Sequence, residues 1–367
     1  MSKNLKNRVS KTISLEELVC KGEINFFKEV YPVKLYSIAL PKSPYEKADH
    51  YFLDKRSYLT PSNYVFELEK GRVFGDQGFV LSYNNELLDD EISKEYKCQP
   101  INRHFLLKRK LPAIKKISGK VAVLSTRGES CFFHWILDVI IRLHLIEQAE
   151  ISVEKYIVGS SLPFQKEVLS LLNIKSSDII SLNSNSFIEA DNLVVTSRVT
   201  SADYIHDWAI SYIKDLFEST LNKNKSKKKK RVYISRGNAG ARKIINEADL
   251  IMKLKKYNFE VYYLEKMSVI EQATLFNNAE IIIAPHGAGN THMIFCNKDT
   301  VFIELFPSIL TCPTYWYIAS FLNLDYHYFY CQPEKKHKKY QNKIHSNMYV
   351  DLNLLEDYLV KLIPKLK

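Results

Sequence analysis

The 367-residue chain is marked first by the signatures it lacks. No C-x-x-C pair occurs, and the six cysteines (Cys20, Cys98, Cys131, Cys296, Cys312 and Cys331) are scattered without zinc-ligand spacing. In a chain of this length such usage is read as free, buried thiols in a reducing compartment. No apolar run reaches the ~18 residues that a membrane-spanning helix needs. The longest candidate, 131–146, is interrupted by His134, Asp138, Arg142 and His144. Lys3, Lys6, Arg8 and Lys11 are not followed by an apolar segment, so no signal peptide is read. No G-x-G-x-x-G fingerprint announces a dinucleotide site, and no G-x-S-x-G elbow a Ser–His–Asp hydrolase. No D-x-D pair is present, and Asp89–Asp90–Glu91 falls in a turn, so no metal requirement is indicated. These absences together lead to the expectation of a soluble, cytoplasmic protein.

What is present is an ordinary globular balance, 46% hydrophobic and 25% charged, enough for two domains rather than one. The net charge of +11 has two readings. One is a surface that meets anionic partners such as nucleotide sugars, acidic glycans, anionic lipid or nucleic acid. The other is lysine-rich solubility.

Residues 14–30 look like an amphipathic helix, and 64–88 alternates β-formers with Gly71, Gly75, Gly78 and Asn84–Asn85, which predicts a small antiparallel meander. From Gly119 onward strands alternate with helices: strands at 121–125, 156–159, 178–182 and 192–197, helices at 132–148, 164–172 and 203–221. The run 222–231, NKNKSKKKKR, reads as a solvated linker. The alternation restarts at 232–236 and continues through strands at 259–265, 280–285, 302–307 and 325–331. A basic loop at 335–343 and a closing amphipathic helix at 351–366 follow. The expectation is an α/β protein of two Rossmann-like domains facing a cleft. The first domain would span 1–221, the linker 222–231, the second domain 232–350 and the closing helix 351–367.

Ligands of open parallel sheets bind at the carboxyl ends of the strands. There the second half places Ser235, Arg236 and Arg242, then the turn His286–Gly287–Ala288–Gly289–Asn290, then Glu304. Two arginines can clamp phosphate oxygens, and a glycine turn opening a helix offers backbone N–H groups to a second phosphate. His286 and His292 add donors, and an acceptor-only carboxylate suits a ribose diol. Together these residues describe a nucleoside-diphosphate pocket. The structural alternative pairs Arg236 with Glu247 or Glu304. In the first half, His134, Asp138 and Arg142 recur every four residues along an otherwise apolar helix. They form either a general base with its orienting partner or a satisfied core network.

Three segments carry a family resemblance: FFHWILDVIIRLHLI, VYISRGNAGARKIINEADL and IIIAPHGAGNTHMIFCNKDTVFIELFP. In order and spacing they resemble the signature blocks of glycosyltransferase family 61, whose bacterial members include capsular polysaccharide biosynthesis proteins. The intervening LEKMSVIEQATLFNNAE fits as well. The resemblance runs from about Gly71 to Tyr330. It implies a GT-B-like fold and inverting, metal-independent transfer from a nucleotide sugar held by the second domain. UDP-sugars are the expected donors, as co-substrate rather than resident cofactor, and a glycan or lipid-linked glycan is the expected acceptor. On this basis Arg236, Arg242 and the turn 286–290 are assigned to the diphosphate and Glu304 to the ribose. His134 and Asp138 go to the acceptor side, with Asp138 as the base.

A rival reading is a polyanion- or RNA-binding protein acting through the lysines of 225–231 and 335–343. The same basic segments could instead hold an enzyme peripherally at the inner face of an anionic membrane, with no nucleic acid involved.

Overall fold

The computed structural model describes residues 8–47, 49–88, 93, 105–107, 109–201, 203–226, 229–308, 312–334 and 345–363. Cys98, the acidic run 89–91 and the basic loop 335–343 lie outside the described residues. The chain divides into two compact units, Met1–Lys34 with Thr60–Thr200 and Leu35–Leu59 with Ser201–Lys367.

In chain order the strands are β1 (Thr12–Ile13), β2 (Ile24–Tyr31), β3 (Lys34–Ser37), β4 (Ser57–Thr60), β5 (Asn63–Glu69), β6 (Arg72–Phe74), β7 (Phe79–Leu81) and β8 (Leu87–Leu88). Then follow β9 (Lys115–Val123), β10 (Lys155–Ile157), β11 (Ile179–Ile180) and β12 (Phe187–Thr196). The first unit is built on a ten-stranded sheet with the path β1-β8-β7-β6-β12-β9-β10-β11; β5 also lies on β12, and β2 on β5. From β12 through β9 and β10 to β11 the pairing is parallel. β5 and β6 pair antiparallel with different stretches of β12. The segment 64–88 therefore does not stand apart as a meander. It extends the same sheet, because β12 is long enough to accept both strands.

Two expectations fail near the amino end. The helix there covers only Leu15–Cys20 and is followed by Gly22 at φ +68°, a left-handed value that suits glycine. The rest of the expected helix is β2, whose residues alternate between more and less exposed along INFFKEVY. Cys20, the last helical residue, is exposed rather than buried, whereas Cys296 and Cys331 are buried free thiols.

The second unit holds β13 (Lys230–Ile234), β14 (Phe259–Tyr262), β15 (Ala279–Pro285), β16 (Val301–Pro307), β17 (Asp325–Pro333) and β18 (Met348–Tyr349). Their order is β14-β13-β15-β16-β17-β18. All neighbours are parallel except β17 and β18. Ile281, Ile283, Ile303, Leu305 and Phe329 are fully buried in its core. Such near-continuous apolar strands are what a sheet covered on both faces requires. Helices Glu247–Lys255, Val269–Asn277, Thr314–Phe321 and Leu352–Leu362 flank the strands in the sequence. Strand order reverses between β13 and β15, which makes their carboxyl ends a topological switch point.

The expected linker does not separate the units. Helix Asp207–Lys223 packs with the second, its Phe217 ring 4.6 Å from that of Phe295 and its Lys214 Nζ donating to Cys296 O. The lysine run therefore joins this helix to β13 within one unit. Residues 35–59 also belong to it: Lys42 N donates to Tyr326 O, and Tyr328 N to Lys42 O. Among the described residues no helix is long and apolar enough to cross a membrane.

Gly78, at φ +67°, lies in the turn between β6 and β7, and a Cβ there would sit 2.3 Å from Ser125 O, just beyond β9. Gly78→Ala is therefore expected to destabilise the protein by about 1–3 kcal/mol. A melting temperature equal to that of the unaltered protein would show that the turn adjusts freely.

Candidate active site

The carboxyl ends of β13 and β15 bring the predicted donor residues together. Just beyond β13, Ser235 Oγ and Tyr233 OH both donate to Glu247 Oε1, at 2.9 and 2.7 Å. Glu247 is thereby engaged without Arg236, and among the described residues Arg236 forms no ion pair. The guanidinium of Arg236 donates from Nη2 to Ala241 O at 3.1 Å, and its buried Nε has no partner. Burial, then the neighbouring charge of Arg242, depress the Arg236 pKa to about 10. Arg242 adopts φ +58°, a left-handed conformation unusual outside glycine. Two like charges crowded at a strand end, one on strained backbone, are an arrangement that an anion would relieve.

The turn after β15 explains its glycines differently from the sequence. A Cβ on Gly287 would lie 2.1 Å from Arg236 Nη1, and one on Gly289 2.7 Å from Leu264 Cδ1. The glycines make room for side chains of the protein itself, and so bring the Arg236 guanidinium down onto the turn. Residues Ala288–Phe295 form a 3₁₀ helix, and its first N–H groups, those of Ala288 and Gly289, precede its internal bonds. Asn290 does not offer its N–H outward, because that group donates to Gly287 O at 2.9 Å. His292 is also not a ligand donor. It is 1% exposed with its pKa lowered by burial to about 4, and Nδ1 lies 3.1 Å from Gly289 O.

Glu304 departs furthest from its assigned role. It is 0% exposed, so it cannot accept from a ribose. His286 Nδ1 lies 2.6 Å from Oε1, Asn290 Nδ2 donates to the same oxygen at 3.2 Å, and Tyr326 OH donates to Oε2 at 2.5 Å. The carboxylate orients His286, whose ring stacks on Phe306 at 5.1 Å and meets Tyr315 edge-on at 5.4 Å. The acidic group beside the pocket is instead Glu265, bonded to Asn238 at 2.7 Å. A cavity of about 200 Å³ opens between Arg236, Leu264, Glu265, Pro285 and Gly289. A larger one of about 470 Å³, by Lys42, Asp299, Trp316 and Asp325, lies at the amino ends of β16 and β17. Parallel sheets take ligands at the other edge, so the smaller cavity is the better candidate.

In the first unit, the helix after β9 changes form along its length: Phe132–His134 is α, Trp135–Ile140 π and Ile141–Gln148 α. Such π segments recur at functional sites. His134 Nδ1 lies 2.6 Å from Asp138 Oδ2, and Thr200 Oγ1 donates to Asp138 Oδ1. Arg142 Nε donates to the backbone oxygen of Asp138 at 2.7 Å rather than to its carboxylate. Asp138 is 5% exposed, whereas the His134 side chain is 26% exposed. The imidazole is the member able to meet a substrate and Asp138 the one that fixes it, which reverses the expected order. Nothing in the sequence pointed to Thr200. It also did not mark Glu129, before this helix, whose carboxyl group burial pushes up to about 7. Among the described residues no group of three or more His, Cys, Asp or Glu could hold a metal ion.

A depressed arginine pKa means that the charged form is disfavoured by folding. The cost is present at every pH below about 10 and fades only as pH rises from there toward the ordinary arginine value. Arg236→Met is accordingly expected to raise the melting temperature of the ligand-free protein at pH 7; a clear fall would show that the guanidinium is structural.

No curated protein matches the chain. Residues 132–303 match the family Glycosyltransferase 61, from the helix of His134 and Asp138 into β16. That match supports placing the chain in glycosyltransferase family 61.

Proposed function

We propose that this glycosyltransferase is inverting and metal-independent. On this reading it moves a sugar from a nucleoside diphosphate, UDP first among the candidates, to a glycan or lipid-linked glycan in capsular, exo- or lipopolysaccharide biosynthesis. The proposal includes a GT-B-type pairing of the two units and a cytoplasmic site of action. It rests chiefly on Arg236 and Arg242, crowded at the switch point of the second sheet with the buried Arg236 Nε unbonded. Two guanidiniums supply the positive charge that a departing diphosphate requires, a task otherwise given to a divalent cation. The N–H groups of Ala288 and Gly289 add donors, and the apolar walls at Leu264 and Pro285 suit a base. Glu265 replaces Glu304 as the acceptor for the ribose hydroxyls. On the acceptor side His134 removes the hydroxyl proton, with Asp138 and Thr200 holding its tautomer.

A thermal-shift panel of UDP, GDP and CMP tests the donor site. Saturation at a hundred times Kd is expected to add about 2.7 kcal/mol of stability. Arg236→Met and Arg242→Met should each weaken binding by about tenfold or more. If no nucleotide moves the melting temperature, the donor pocket is wrong.

His134→Gln and Asp138→Asn should each slow transfer by about 10²–10⁴-fold while leaving the nucleotide shift intact. Unchanged turnover in both variants would remove the pair from the mechanism.

A further inference from the structure

The bonding around His286 carries more than a contact to phosphate. Glu304 is fully buried, and its hydrogen-bond partners are His286, Asn290 and Tyr326. Burial and the adjacent carboxylate raise the Tyr326 hydroxyl well above the ordinary tyrosine range, so it remains a neutral donor. Asn290 cannot ionise. Of the three, only His286 can change its charge by taking up a proton, and Glu304 is placed to balance that charge.

With Nδ1 committed to Glu304, 11% of the side chain stays exposed and Nε2 is the ring nitrogen left for a ligand. The rings of Phe306 and Tyr315 fix that direction. The next residue, Gly287, lies under the Arg236 guanidinium, and Tyr315 OH donates to Gly287 O at 2.7 Å. His286 is thus the residue next to the one on which the Arg236 guanidinium rests. The charged or titratable groups around the imidazole are Glu304 from β16, Tyr326 from β17, Tyr315 from helix Thr314–Phe321, and Arg236 and Arg242 from beyond β13. Cys312 is also near, its thiol raised by burial and therefore neutral.

A neutral imidazole with its proton on Nδ1 would turn the Nε2 lone pair toward that anion. A protonated one turns an N–H to it, with Glu304 balancing the charge. We propose that His286 takes up a proton as the nucleoside diphosphate enters and acts as the acid of the transfer step. This rests on the donor reading above and adds a role for one residue within it. As the acceptor oxygen bonds to the anomeric carbon, the bond from that carbon to the β-phosphate oxygen breaks. The electron pair stays on that oxygen, and His286 Nε2 delivers its proton there. The acceptor hydroxyl proton leaves to the acceptor-side base, and His286 stays neutral until the next nucleotide sugar enters and brings a proton from solvent with it.

The measurement is calorimetric titration of the whole protein with UDP, or GDP if UDP does not bind, at pH 7.5 in two buffers of different ionisation enthalpy. The unaltered protein should take up a sizeable fraction of about one proton per nucleotide. His286→Gln should bind with no such uptake, and its kcat should fall by about 10²–10³-fold. Tyr326→Phe keeps the imidazole and removes one donor from Glu304, so uptake should persist with its midpoint moved to higher pH. Binding without proton uptake by the unaltered protein, or equal uptake by His286→Gln, would overturn the proposal. Absence of binding by either nucleotide would instead bring down the donor reading itself.

Discussion

The second unit turns on one buried carboxylate. Glu304 sits in the middle of β16, opposite Ala284 of β15, where water cannot reach it. A charge in that position is tolerable only if every lone pair is met. Its partners come from β17, from the end of β15 and from the turn beyond. Meeting that demand fixes the imidazole of His286 and the path of the backbone through Gly287. The turn then determines where Arg236 can lie. Much of the switch-point geometry is thus a consequence of satisfying one acid.

The second requirement is electrostatic and works in the opposite sense. Arg236 and Arg242 are held close, one half-buried and the other with a left-handed backbone. A site organised in advance does not need to rearrange when charge develops on a leaving group. The fold meets this cost elsewhere, through β16, buried from end to end, and β15, buried at every residue but Glu280.

Most of the second unit was legible in the sequence because its strands are covered on both faces and therefore read as unbroken apolar runs. That Arg236, Arg242 and His286 lie beyond strand ends followed from the same pattern. The role of Glu304 did not. Whether a carboxylate faces a ligand or the core depends on register, and a few residues along β16 separate the two. The order of His134 and Asp138 was hidden for a similar reason, since Thr200 reaches Asp138 from 62 residues away. At the amino end, period-2 and period-3.6 patterns overlap within INFFKEVY, and the helical reading ran through Gly22 into β2. Nothing local shows that residues 35–59 join the second unit, because their partners lie far along the chain, at 203–207 and 316–330.

That last feature bears on how the protein is made. Tyr45 and Tyr330 bond to each other across 285 residues. Ribosomes extend chains at about 5–20 residues per second, so the wait for β17 lasts roughly 15–60 s after Tyr45 is made. Meanwhile Leu35 and Leu59, 67% and 63% exposed even in the finished fold, have only a two-stranded ribbon for shelter. The nascent chain must therefore carry an early segment that lacks its β17 partners through nearly its whole synthesis. The second unit can close only when the last strands of its parallel sheet emerge.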